Sequence, residues 1–167
     1  KLVRWLEALR GTFDVPPLQI DSGNDFPTSA GLASSASGFA ALITAINAHC
    51  DLGLNQEMCS EWARVGSASA ARSIFGGFVA LVPPQWQAIP MAKRDHWPLE
   101  VVVAVTSNEP KSVNSGEGME RSRLTSPYYN AWVRDATTDF AAASEHQSQV
   151  AICNAPGGVL CPCSLRR

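Results

Sequence analysis

The chain has 167 residues, of which 46% are hydrophobic and 17% charged, with a formal charge of −2 and a pI near 5.9. This balance excludes a disordered polymer, which would be poorer in apolar residues and richer in charge, and it supplies no overall field to gather nucleic acid. No apolar run approaches the ~20 residues needed to span a bilayer, so the chain reads as a soluble, cytoplasmic protein with sequence enough for one core and slightly more.

Leu2, Trp5, Leu6 and Leu9 recur at helical spacing, and Gly11 follows as a stop. Pro16 and Pro17 then lead into a short alternation, Leu18 and Ile20, that predicts a strand running into a loop at 22–30. From Gly31 to about His49 the chain is alanine-rich, with Leu32, Phe39, Leu42, Ile43 and Ile46 forming an apolar stripe. A second helix is predicted over Asn55 to about Val65, with Asn55 as its cap. A short third helix covers Ser67 to Ile74 and is broken by Gly76 and Gly77.

Phe78 to Val82 read as a strand ended by Pro83 and Pro84. LEVVVAVT, residues 99–106, predicts another, covered on at least one face. Helices are expected from about Ser115 to Leu124 and again after Ser126-Pro127, where proline fits a first turn. Strands mixed with helices in no regular alternation give an α+β class.

The five cysteines, Cys50, Cys59, Cys153, Cys161 and Cys163, are odd in number and show no pair of C-x-x-C units. Cys50 and Cys59 read as small buried helical residues, and the last three as a tail without a nearby histidine to complete a metal site. From about 149 onward cysteine, proline and glycine crowd together without periodicity.

Two stretches carry chemistry. The first is NDFPTSAGLASSASGFAAL, residues 24–42, where a glycine- and serine-rich loop runs into a helix. A helix start presents free N–H groups and partial positive charge, so it can hold a phosphate if the backbone comes close. Gly31 removes the side chain at the turn, and Ser34 and Ser35 offer hydroxyls to phosphate oxygens or to Mg²⁺. The same small residues also suit a helix packed tightly on its neighbours. Neither G-x-x-x-x-G-K-[ST] nor a strand-following G-x-G-x-x-G is present.

The second is GSASAARSIFGGF, residues 66–78. It sets Ser67, Ser69 and Arg72 close along one helix, where hydroxyl and guanidinium can converge on one anion. Taken alone it also fits a surface arginine beside capping serines.

The pattern P-x-x-x-G-L-x-S-S-A resembles the phosphate loop of the GHMP kinases, and its flanks are similar to the diphosphomevalonate decarboxylase branch of that superfamily. The G-S-x-S-x-x-R-S-[IL]-[FY]-G-G pattern resembles a motif of that branch, and His96-Trp97-Pro98, Gly118-Met119 and Thr125-Ser126-Pro127 extend the match.

The resemblance implies a GHMP kinase-type N-terminal domain, ribosomal protein S5 domain 2-like, followed by the start of a C-terminal GHMP domain. Its boundaries would be 1–90 for the ATP-binding part, 91–148 for the start of the second domain, and 149–167 for an irregular tail. It further implies ATP binding by Pro27, Ala30, Gly31, Leu32, Ala33, Ser34, Ser35 and Ala36, with Ser34 or Ser35 touching Mg²⁺ through the nucleotide. Mevalonate diphosphate would bind Ser67, Ser69 and Arg72.

The implied reaction phosphorylates the tertiary 3-hydroxyl and then loses phosphate and CO₂ to give isopentenyl diphosphate. The family's aspartate, in a phrase like T-x-D-A-G-P-N, has no counterpart among Asp14, Asp21, Asp25, Asp51, Asp95, Asp135 and Asp139. The expectation is therefore a central fragment, inactive alone, whose last ~20 residues break from any structural pattern. A small-molecule substrate, no nucleic acid, no membrane and a homodimer complete the implied picture. Its rivals are a related GHMP kinase or phosphomevalonate decarboxylase, and a non-catalytic anion-binding domain.

Overall fold

The structure, a computed structural model, describes residues 1–26, 32–104 and 113–153, with backbone alone for 146–153. Two compact units divide the chain, Lys1–Ser112 and Val113–Arg167.

The first unit is built on three helices, α1 (Leu2–Arg10), α2 (Ser34–His49) and α3 (Gln56–Gly66). The expected stripes hold in part: Trp5, Leu9, Ile43 and Ile46 are buried, Leu6, Phe39 and Leu42 are only partly so, and Leu2 is exposed. In α1, Trp5 and Leu9 lie one turn apart on the inner face. The Trp5 indole donates to the Trp62 carbonyl at 2.8 Å, and its ring meets Phe39 edge-on with centroids 5.5 Å apart, an arrangement favoured by aromatic quadrupoles. Gly11 caps α1 as expected.

Ala36, Ala40, Ile43 and Ile46 form the inner face of α2, with Ile43 fully shielded. Cys59, Ser60, Ala63 and Gly66 form that of α3. All four are small, which lets neighbouring backbones come close. Asn55 caps α3, its side chain accepting from the Met58 amide at 2.8 Å. Burial pushes the Cys59 thiol above its ordinary pKa, which keeps it protonated and chemically quiet.

The turn joining α2 to α3 is held by Asn47. Its amide group donates to the Leu54 carbonyl and accepts from the Leu54 N–H, both at 2.9 Å, so one side chain stands in for a backbone partner. Asn47→Ala leaves both Leu54 groups unpaired in a half-buried site. The expected cost is about 2 kcal/mol in urea unfolding, and a change below about 0.5 kcal/mol, the range of ordinary surface substitutions, would refute the clamp.

After α3 a 3-10 helix covers Ala68–Ile74, where the sequence predicts an unspecified short helix. The chain then forms the antiparallel hairpin β1 (Phe78–Val82) and β2 (Gln87–Ala92). The second strand has no signature in the sequence: Pro90 interrupts it, and Ala88 alone among its residues is buried.

Two predicted strands do not form among the described residues. Residues 14–24 adopt no regular element, because Leu18 and Ile20 find no ladder partner. Residues 99–104 are likewise outside any strand, and residues 105–106 lie outside the described residues. Val101 and Val102 are 82% and 94% exposed. A β-branched run is only half of a strand, since its N–H and C=O groups need a neighbour. Helices with a small sheet nonetheless make the α+β class that the sequence predicts.

The second unit contains α4 (Ser115–Thr125) and α5 (Tyr129–Cys153), both expected. The Asn114 side chain caps α4 by accepting from the Glu117 N–H at 2.9 Å. Arg123 grips Glu120 three residues away at 2.7 Å and holds its carboxyl below the usual range. The pair is exposed, so water screens it and it adds little to stability. Helix α5 continues through 149–153, where an irregular tail was expected, and residues 154–167, with Cys161 and Cys163, lie outside the described residues. No helix among the described residues is long and apolar enough to cross a membrane.

Candidate functional site

Residue 33 turns the chain into α2 in the left-handed conformation, with φ 53° and ψ 38°. A non-glycine residue there is uncommon and strained, and such strain clusters at ligand-handling turns. Ala33 has no side-chain oxygen to cap the helix it precedes, so the side chain of residue 33 takes none of the first-turn N–H groups, although that of Ala36 donates to the Ala33 carbonyl at 2.8 Å. Ser34, Ser35 and Ala36 occupy that turn, and Leu32 lies just before it. Ala36 faces the core and Ser35 faces solvent. Pro27, Ala30 and Gly31, the rest of the predicted nucleotide loop, lie outside the described residues.

The two predicted constellations meet. Ser35 Oγ lies 3.3 Å from Ser67 Oγ, across a gap of thirty-two residues in sequence. Ser67 Oγ in turn lies 3.5 Å from Ser69 Oγ. A hydroxyl can donate once and accept twice, so this chain of three serines can turn its protons toward an anion.

The arginine is aligned by the helix type. In a 3-10 helix side chains three residues apart eclipse one another, and Ser69 and Arg72 are so spaced within Ala68–Ile74. An α-helix would splay the same pair by about 60°. Arg72 is exposed, and no carboxylate among the described residues pairs with it. Ala70 and Ala71 between them point into the core. The short helix therefore buries the methyl groups of Ala70 and Ala71 and leaves Arg72 and Ser73 exposed.

The meeting depends on two residues to which the sequence patterns assign no role, one at the head of the second motif and one outside both motifs. Gly66 sits under the Phe39 ring, so closely that a Cβ there would overlap it. Phe39 stands one helical turn after Ser35, and Ser67 directly follows Gly66. The Phe39–Gly66 contact and the Ser35–Ser67 contact are thus successive rungs between α2 and the end of α3. Ser60 is the second: it is 3% exposed and donates to the Ala71 carbonyl at 2.9 Å. Its signal was a hydroxyl on the stripe Cys59, Ala63, Gly66, where apolar residues belong.

The motif His96-Trp97 serves packing. Both rings lie against Phe78, with centroids 6.3 Å apart in each case. A groove of about 540 Å³ runs between residues 17–22 and α2, but none of Ser35, Ser67, Ser69 and Arg72 lines it. Among the described residues there is no cluster of three His, Cys, Asp or Glu side chains fit to hold a metal. The hydroxyls of Ser34 and Ser35 are hard oxygen donors of the kind Mg²⁺ accepts alongside nucleotide phosphates.

Comparison with known proteins agrees with the motifs. The family described as "Diphosphomevalonate decarboxylase-like N-terminal domain" matches residues 1–87. The diphosphomevalonate decarboxylase of Ganoderma lucidum is 45% identical over 122 residues, covering 66% of this chain and 29% of that protein. That of Saccharomyces cerevisiae is 42% identical over 119 residues, covering 67% and 30%. Among solved structures, a mevalonate 5-diphosphate decarboxylase aligns with a TM-score of 0.53 at 39% identity over 65% of this chain and 29% of its own. The mevalonate diphosphate decarboxylase from Trypanosoma brucei aligns with a TM-score of 0.55 at 31% identity over 77% and 38%. The chain spans about a third of the length of the relatives it matches.

Proposed function

The chain belongs to the diphosphomevalonate decarboxylase-like family through its N-terminal domain, and from that membership we propose that its whole protein decarboxylates mevalonate 5-diphosphate with ATP, yielding isopentenyl diphosphate. The observation that carries the reading is the 3.3 Å contact of Ser35 with Ser67, because it joins the nucleotide motif to the substrate motif. A phosphoryl transfer needs its donor and acceptor side by side.

In this reading Leu32 to Ala36, with Pro27, Ala30 and Gly31, receive the ATP phosphates at the start of α2. Ser67 and Ser69 donate to the substrate diphosphate, and Arg72 pairs with its charge through a planar fork. Mg²⁺ would arrive on the nucleotide, with Ser34 or Ser35 as a protein donor, and would neutralise phosphate charge. The residues of this chain thus hold the two anions. A cytoplasmic setting and a homodimer are the matching expectations for the whole protein.

Calorimetric titration of the 167-residue chain with Mg-ATP, inorganic pyrophosphate and mevalonate diphosphate tests the reading. Arg72→Ala is expected to weaken pyrophosphate and mevalonate diphosphate by about ten- to a hundredfold, the worth of charged hydrogen bonds, while leaving Mg-ATP within about twofold. A folded wild-type chain that binds none of the three sinks the proposal.

A further inference from the structure

We infer that Ser60 is a positioning residue for the anion site, its hydroxyl fixing the turn of the 3-10 helix from which Arg72 projects. The inference deepens the anion-binding reading above and rests on it for what Arg72 holds.

Ser60 lies in the middle of α3 on its buried face. A serine inside a helix ordinarily bonds back to the carbonyl four residues earlier or turns to solvent. Ser60 does neither; it reaches out of its helix to the carbonyl of Ala71, eleven residues on, at 2.9 Å. A hydroxyl so deeply buried is costly unless bonded, and a Cys or Ala in its place would pack among Cys59 and Ala63 without that cost.

The acceptor sets the consequence. The Ala71 carbonyl shares its peptide plane with the amide of Arg72, so anchoring that oxygen anchors the plane from which the arginine leaves. Ala70 and Ala71 are both buried, and their methyl groups resist sliding but supply no directional bond. A 3-10 turn has poorer internal hydrogen bonds than an α-helix, with Ala70 N to Ser67 O at 2.8 Å and Phe75 N to Arg72 O at 3.2 Å here. The Ser60 bond is a directional constraint on that turn from a neighbouring helix. It preserves the three-residue turn that eclipses Ser69 with Arg72.

The test uses the full chain with Ser60→Ala, Ser60→Cys and Ser60→Thr. Cys keeps the volume without a strong donor, and Thr keeps the hydroxyl. Pyrophosphate affinity is measured on protein shown to be folded by circular dichroism, alongside amide hydrogen exchange at residues 70–75. Loss of one neutral hydrogen bond predicts affinity about five- to tenfold weaker, and exchange faster by a similar factor, for Ala and Cys, with Thr restoring both.

A role confined to general stability would speed exchange evenly and leave affinity per folded molecule intact, which overturns the inference. So does wild-type behaviour in both measurements from a folded Ser60→Cys chain. If the wild-type chain binds no pyrophosphate, the anion reading falls. Locally faster exchange in Ser60→Cys, restored by Thr, then still upholds the hold of Ser60 on the turn.

Discussion

Gly66→Ala is expected to destabilise the first unit by about 3 kcal/mol, the upper part of the range for overpacking a core, and to separate Ser35 from Ser67. The added Cβ would overlap Cδ1 and Cγ of the Phe39 ring and lie 2.6 Å from its Cε1. Cγ is the root of the ring, so a small rotation of a far end brings no relief. Phe39 would have to leave its place against Trp5, whose ring centroid is 5.5 Å away, or α2 and the end of α3 would have to part. Parting is the costlier for function, because Ser67 follows Gly66 directly and meets Ser35 at 3.3 Å.

Urea unfolding and pyrophosphate titration read the two consequences. A drop in melting temperature of roughly 10 °C or more matches the energy for a unit of this size. A double-mutant cycle isolates the cause. With Phe39→Ala in the background the ring is gone, so Gly66→Ala should then cost about 0.5 kcal/mol or less, a coupling typical of touching residues. An equal cost in both backgrounds would mean that the ring is not what confines position 66.

The helices of the first unit were legible because each carries its own local signature. Asn55 caps α3, Gly11 ends α1, and Phe39, Leu42, Ile43 and Ile46 recur at helical spacing along α2, although Ala36 and Ala40 rather than Phe39 and Leu42 complete its buried face. The two site motifs were legible for the same reason. Their contact was not, since it depends on Phe39 over Gly66, residues that a local reading counts as an apolar stripe member and a helix end. The 3-10 form of Ala68–Ile74 was hidden too, because a run of small residues does not distinguish three from three and six-tenths residues per turn. Residues 99–104 failed in the opposite direction. LEVVV states a strand as firmly as sequence can, but a strand is a property of two segments, and no described segment pairs with it.

Gly77 shows the other way in which a motif glycine can be forced, and Gly77→Ala is expected to cost about 3 kcal/mol or more. Its φ is +78°, a conformation that costs a residue with a Cβ about 1–2 kcal/mol. A Cβ there would also overlap the Ala92 carbonyl oxygen and lie 3.0 Å from the Arg94 nitrogen and the Lys93 carbonyl carbon. These are backbone atoms of the facing strand and the turn after it, so no side-chain truncation can restore room, in contrast to position 66. The strands already shift register between Phe78 and Val79, which leaves the open end of the hairpin little slack.

The damage should stay local. Phe78, next in the chain, carries the rings of His96 and Trp97, and that cluster is expected to loosen while the Ile43 and Leu9 core holds. Near-ultraviolet dichroism and amide exchange in β1 and β2 are the measurements. Exchange accelerated in the hairpin while α2 and α3 stay protected is the expected result. Uniform acceleration across the first unit would show instead that the hairpin and the helices melt as one.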